Sequence, residues 1–309
     1  MVQNYPGKII RSQPPERTYK DFFDKILERM NPNSEFDPVS VHIVLDKYIS
    51  NSTKSGTRKM RSNDSSIRLF ITGLGQFMPQ TQNEWKGALS NNDTKRNLFS
   101  LFTSYVCSGK ANLKLPTIIN NEDNTWLCVP GSENATLLFD CNHEEADTRI
   151  IYHAGLQGSN KVIISANDSD VFFLGIYACS LDLNRHWFFN YQNDCFADLR
   201  KIADLLQESS LHLPTFHCLT GCDTTSYYYF KGKIGPWENA LKAKPNSFAL
   251  ISKLGCDRSL SENDLASAVE FVRRYVYGGK EGESLVNTRV QMYQQQKRRL
   301  AHCHQILTR

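Results

Sequence analysis

The sequence lacks the features that place a chain in a membrane, outside the cell or in a repeat array. Its start, "MVQNYPGKII", has no apolar run of the kind a secretory leader needs, so secretion is not expected. Its most apolar region, "KVIISANDSDVFFLGIYACSL", is broken at the centre by Asp168 and Asp170, and carboxylates at that depth make a bilayer span costly. There is no internal repeat and no low-complexity tract. The nine cysteines are odd in number and scattered, and no two stand in C-x2-C spacing. That excludes a disulfide framework and speaks against a zinc finger. The net charge of +4 is too small to announce a nucleic-acid binder by itself. Together these absences predict a reduced, intracellular protein of nucleus or cytoplasm. The Asn-x-Ser/Thr triplets at Asn51, Asn63, Asn92, Asn134 and Asn167 are then chance matches.

What is present suffices for a core. With 309 residues, 40% of them apolar, the chain has room for one large domain or two small ones. The segment from Thr18 puts Phe22, Phe23, Ile26, Leu27 and Met30 on one helical face, with Thr18 as N-cap and Asp21 at the third helical position. "VSVHIVLDKY" (39–48) is a β-branched run, expected as a buried strand ending at Asp46. "TKRNLFSLFTSYVCS" predicts a helix, and "DNTWLCVPGSENATLLFDCN" two short strands around a Pro-Gly turn. From 141 onward, helix ("EEADTRIIYHAGL"), strand ("KVIISAND") and strand ("HWFFNY") give an α/β pattern with a parallel sheet. "SENDLASAVEFVRRYVYGG" predicts an amphipathic helix from an N-cap at Ser261 to Gly278, and the polar end of the chain is expected to be helical.

Carboxylates gather at the ends of these elements. Asp46 closes the first long strand, Glu144, Glu145 and Asp147 open a helix, Asp168 and Asp170 follow "VIISAN", and Asp223 ends "FHCLTGCD". Acids at a helix start complement its dipole, and any one of them can be a solvated loop residue. In open α/β sheets, however, functional groups collect beyond the carboxyl ends of the strands. A D-x-D pair just past a buried strand brings like charges close, and a cation relieves their repulsion. Oxygen donors without neighbouring Cys or His suit Mg²⁺ or Mn²⁺. Two such ions about 4 Å apart clamp the attacking and leaving oxygens of a phosphodiester.

The motifs, in order, are "VLDKY", "KSGTRKMR", "EEAD", "NDSD", "GCDTT" and "KIGP". This series resembles the PIN-like nucleases of the flap endonuclease (XPG-type) superfamily, and more closely a divergent animal branch with "HEEADTR", "D-x-DV" and "TGCDTTS". The resemblance covers about residues 39–243. It implies a PIN-like three-layer αβα domain over 1–243 with a central, mostly parallel sheet, followed by a C-terminal helical extension over 244–309. It implies phosphodiester hydrolysis of branched or duplex DNA, or RNA, with Asp46, Glu145, Asp147, Asp168, Asp170 and Asp223 as catalytic ligands of two Mg²⁺ or Mn²⁺ ions. Glu144 has no counterpart and is expected to serve the helix start. Lys54, Arg58 and Arg61 fall where the family's basic helix grips the scissile phosphate, and an Arg there stabilises developing phosphoryl charge.

"YFKGKIGPWENALK" resembles the helix-two-turn-helix segment (226–243), which holds a duplex backbone through amides and a bound monovalent cation. The residues themselves agree with that use. Gly232 and Gly235 permit close approach, Pro236 sits at a helix start, and Lys231 and Lys233 add positive charge. A plain turn between helices is the simpler alternative.

One departure stands out. The family carries another acid on its first strand, and here no acid precedes Glu16, so the first strand is expected to be missing. The alternative function is then a catalytically degenerate PIN-like module that binds nucleic acid or protein. A third reading, structural zinc on His217, Cys218 and Cys222 with Cys141 and His143, has weak spacing, and small buried cysteines explain it more simply.

Overall fold

The computed structural model describes residues 2–3, 17–30, 38–48, 67–143, 145–156, 158–192, 195–222, 225–228, 231–243, 247–256 and 259–295. Two units divide the chain, one up to Asp204 and one from Leu205. The fold is mixed α/β in the first unit and helical in the second.

The first unit is organised by an eight-stranded sheet in the order β5-β4-β3-β2-β1-β6-β7-β8. Its strands are β1 (Val2–Gln3), β2 (Val41–Val44), β3 (Thr117–Asn121), β4 (Asn124–Cys128), β5 (Thr136–Asp140), β6 (Lys161–Ser165), β7 (His186–Gln192) and β8 (Cys195–Asp198). The central strands β3, β2, β1, β6 and β7 are parallel, while β4 and β5 at one edge and β8 at the other run antiparallel. All four residues of β2 and four of the five in β6 are buried, as strands covered on both faces require.

The expectation of a missing first strand is corrected. Val2–Gln3 lies between β2 and β6, with Val2 level with His42 on one side and Ile164 on the other. These two residues join the two halves of the sheet, at His42–Ile43 on one side and Ile164–Ser165 on the other.

Helices cover both faces. On one pack α1 (Tyr19–Met30), α2 (Gln82–Ser90) and α3 (Asn92–Cys107), together with Val41, Ile43 and Ile119 of the sheet. The cluster is aromatic: Phe22 meets Trp85 edge-on at 5.7 Å, and Phe23 meets Phe102 at 5.0 Å. Fully buried rings of this size each stabilise the fold by about 2–3 kcal/mol. Each helix start has a local cause. Thr18 Oγ accepts from the Asp21 amide while Asp21 accepts from the Thr18 amide. Thr81 and Glu84 form the same reciprocal box for α2, and Asn91 Oδ1 caps α3. On the other face lie α4 (Ala146–Gly155) and α5 (Ser169–Leu181). Gly175 of α5 sits where a Cβ would meet Ile164 of β6 and Leu199.

Helix α6 (Leu199–Leu206) spans the division, and the second unit contains α7 (Leu213–Leu219), α8 (Ile234–Lys242) and α9 (Glu262–Phe271). Residues 285–295 form a further helix. Phe216, Trp237, Phe248, Phe271 and Tyr275 make its core, with Trp237 4.9 Å from Phe216 and 4.6 Å from Phe248. The sequence reading sets a boundary at 243, whereas the structural division falls between Asp204 and Leu205. The cause is Trp237 and Ala240, which commit α8 to the C-terminal helices. Ser261 and Asp264 box the start of α9, which continues as a π-helical turn over Val272–Val276, with Gly278 at φ +70 two residues beyond. No helix among the described residues is long and apolar enough to cross a membrane.

Candidate functional site

Strand order fixes where the acids can meet. From β1 the chain winds outward through β2 to β3, then returns to β6 beside β1 and winds the other way to β7. The order therefore reverses between β1 and β6, and the crevice beyond the carboxyl ends at such a reversal is where doubly wound sheets take their ligands. Asp46 lies two residues past β2, and Asp168 three residues past β6. Helix α4 lies across β1, β2 and β6. Its later residue His153 touches His42 early in β2, and its first turns reach Leu45, so it runs antiparallel to the strands. That direction delivers Glu145 and Asp147 to the same carboxyl edge.

Each carboxylate has a local environment. Asp46, Glu145, Asp147 and Asp170 are half-buried, and Asp168 is exposed. Glu145 is the N-cap residue of α4 without a capping bond from its side chain. Asp168 is the N-cap of α5, and its Oδ1 accepts from the Asp170 amide at 2.9 Å. Thus the D-x-D pair is not driven into the core. The repulsion argument for a cation, which rests on both carboxylates being buried, does not hold for these two residues. Asp168 already works as a helix cap, the ordinary use of an Asp at that position.

Arg149 organises the edge, and the sequence reading passed over it. Its side chain is fully buried. Nε donates to the His143 carbonyl, and Nη1 donates to Asn120 Oδ1 at 2.9 Å and to the Leu45 carbonyl at 3.4 Å. One guanidinium therefore ties together the end of β2 just before Asp46, the end of β3, and the loop that leads to Glu145. Its Nη2 has no hydrogen-bond partner among the described residues. Burial pushes the guanidinium below its ordinary pKa, and Cys141, Asp123, Asp46 and Glu122 pull it back up. The signal was present in α4, whose buried stripe Ala146, Arg149, Ile150, His153, Ala154 includes two basic residues on an inward face.

The second of these, His153, faces His42 with the two Nδ1 atoms 3.1 Å apart. Both rings are buried. Burial, and then the neighbouring His153, lower His42 to about 3; burial, and then Arg149, lower His153 to about 4. Both rings are therefore neutral near pH 7, with one Nδ1–H donating to the other nitrogen.

The oxygen donors at this edge suit a hard divalent ion in type. They are not gathered around a point: among the described residues, no three His, Cys, Asp or Glu side chains come together in an arrangement that could hold a metal. Asp223, Glu144, Lys54, Arg58 and Arg61 lie outside the described residues. The zinc set of His217, Cys218 and Cys222 is not drawn together as a metal-holding group either.

In the second unit, the lysines expected to meet a phosphate backbone have partners of their own. Lys233 Nζ donates to the His217 carbonyl at 2.9 Å and to the Gly221 carbonyl, and lies 3.1 Å from His217 Nδ1. An ammonium has three protons, and these contacts use them at the end of α7, where cations are favoured. Gly221 adopts φ +106, and a Cβ there would stand 2.5 Å from that of Tyr227, so the turn requires glycine. Lys231 lies over the Tyr277 ring at 5.7 Å, and burial lowers its pKa. Gly232 and Gly235 face open space at the start of α8. Compared with protein-family models, curated proteins and solved structures, the chain matches none.

Proposed function

We propose that the first unit is a PIN-like domain whose carboxyl edge serves divalent-metal-dependent phosphodiester hydrolysis on structured nucleic acid. One observation carries this reading: Asp46, Glu145 with Asp147, and Asp168 with Asp170 arrive from three separate segments at one edge, on both sides of the strand-order reversal. The doubly wound parallel centre and the helices on both faces are consistent with such a domain. Asp46, Glu145, Asp147, Asp168 and Asp170 would hold two Mg²⁺ or Mn²⁺ ions. Such ions, when bound, neutralise phosphoryl charge and sharpen the attacking water. The chain's own part is to position its acids. Arg149 ties the backbone just before Asp46 to the backbone ahead of Glu145, so these two cannot drift apart independently. Lys54, Arg58 and Arg61 would face the phosphate, and a monovalent cation near 226–243 with Lys231, Gly232 and Gly235 would hold a duplex backbone. Lys233 would support that segment from within, as a brace.

The test is Mn²⁺-stimulated cleavage of a branched DNA, with a structured RNA in parallel, by the full chain and by the Asp168→Asn, Asp170→Asn double variant. Cleavage by the parent that disappears in the variant is expected; equal cleavage by both overturns the assignment.

A second reading, a catalytically degenerate module that binds nucleic acid or protein, is favoured by two specific observations. The strand at the centre of the sheet is Val2–Gln3, with no acid on it, and the described carboxylates are not gathered into a metal-holding group. Retained, salt-sensitive binding of the same DNA with no cleavage at any Mn²⁺ concentration selects this reading.

A further inference from the structure

Away from the acidic edge, at the opposite end of β3, two cysteines from distant elements meet. Cys107 closes α3 and Cys128 closes β4, and their sulfurs are 3.5 Å apart, both as free thiols. Thr117, the first residue of β3, pairs with Cys128, and the chain arrives at Thr117 from α3 through residues 108–116. The meeting is braced by Gly109. Its φ is +70, and a Cβ there would stand 2.6 Å from the Ser132 carbonyl oxygen and 2.7 Å from the Glu133 Cα. The turn after α3 therefore lies against the turn after β4 with no room between them. Cys128 is buried, Cys107 is half-buried, and a small crevice lined by Cys107, Gly109, Cys128, Pro130 and Ser132 leads to the pair.

We propose that Cys107 and Cys128 are an oxidative modification site, a vicinal-in-space dithiol that a hydroperoxide converts to an intramolecular disulfide. This inference does not rest on the nuclease reading. The Cys107 sulfur attacks the hydroperoxide, the O–O bond breaks, and Cys107 becomes a sulfenic acid as an alcohol (water, for hydrogen peroxide) leaves. Cys128 then attacks the Cys107 sulfur; the S–S bond forms, the S–O bond breaks, and hydroxide departs as water with the Cys128 proton. Two thiols lose two electrons in all, and the hydroperoxide gains them. The sulfurs must close by about 1.5 Å to reach disulfide length, which side-chain rotation can supply. The division of roles follows from the contact. The Cys128 S–H donates to Cys107, lowering the Cys107 pKa and raising that of Cys128, so Cys107 is the sulfur that reacts first. The helix C-terminus at Cys107 opposes its thiolate, which keeps the site slow compared with a dedicated peroxidatic cysteine.

The experiment treats the full chain with hydrogen peroxide under native conditions, blocks remaining thiols, and maps cross-links by proteolysis and tandem mass spectrometry without reduction. The expected product is a Cys107–Cys128 link with loss of two hydrogens, reversed by dithiothreitol. It should be accompanied by a Tm rise on the order of 5 °C from closing the intervening loop. In the Cys128→Ser variant, Cys107 should stop at the sulfenic acid and be captured by dimedone. The proposal is overturned if exposed Cys256 oxidises while no Cys107–Cys128 link forms. It is equally overturned if the link appears only after the chain is unfolded in denaturant. The parent's peptide map decides the matter even where a variant fails to fold.

Discussion

The two faces of the first unit's sheet are built from different chemistry. One is an aromatic and aliphatic core under α1, α2 and α3, in which Trp85, Phe22 and Phe23 are fully buried against Ile43 and Ile119. The other, under α4, buries Arg149, His42 and His153. The first face depends on shape, the second on buried polar groups that bond to one another and to the strand ends, and the second lies nearer to the acids. Packing of the first kind tolerates pH and salt. A buried imidazole pair is sensitive to pH, because it is stable in its neutral state alone.

The comparison can be broken from either side. Trp85→Ala should cost about 3–5 kcal/mol, read as a fall in the urea midpoint. Its pH dependence should match that of the parent. Arg149→Met should cost on the order of 3 kcal/mol, because the Leu45 and His143 carbonyls and Asn120 Oδ1 lose their donor. Unlike Trp85→Ala, it should also speed hydrogen exchange at residues 45–46 and 145–149 before global unfolding. Equal exchange in the two variants would mean that Arg149 does not brace the edge.

The histidine pair sharpens the contrast. The folded pKa values of about 3 and about 4 lie below the unfolded value of about 6.5, so the unfolded state binds more protons across that interval. The stability supplied by neutral burial is fully present above pH 6.5 and falls as pH drops toward 4. By pH 5 the loss should be about 2 kcal/mol for each histidine. The His42→Leu, His153→Leu variant should show a flatter acid limb in urea titrations than the parent. An unchanged slope would mean that the imidazoles are hydrated.

The smallest effect concerns Asp168. Asp168→Ala should cost about 1 kcal/mol by removing the cap of α5, while Asp168→Asn should stay within a few tenths, since Asn caps as well as Asp. A full loss in Asp168→Asn would show that charge, not capping, holds that turn.

What could be read from the sequence divides along the same line. The aromatic face was legible, because Phe22, Phe23, Ile26, Leu27 and Met30 repeat at helical spacing and Thr18 with Asp21 marks the start. The strands at 41–44 and 161–165 announced themselves as β-branched runs, and Ser261 marked the start of α9. Arg149 and the His42–His153 contact were not legible. A charged residue on an inward helical face can be identified only when the strand ends it bonds to are known, and those come from positions about 30 and about 100 residues away. The two-residue β1 escaped for another reason: so short a strand has no periodicity, and its place is defined by the neighbours on either side. Lys233 looked like a ligand-facing charge until the α7 carbonyls were found beside it.

Asp168→Asn, which keeps its cap and sheds its charge, supplies the most direct test of the acidic edge. The measurement is calorimetric titration of Mn²⁺ into the full parent chain and into this variant, with unfolding curves showing equal stability. The account predicts saturable heat in the parent that is lost or weakened at least tenfold in Asp168→Asn. Identical titrations, with or without heat, would contradict a metal site built on this edge.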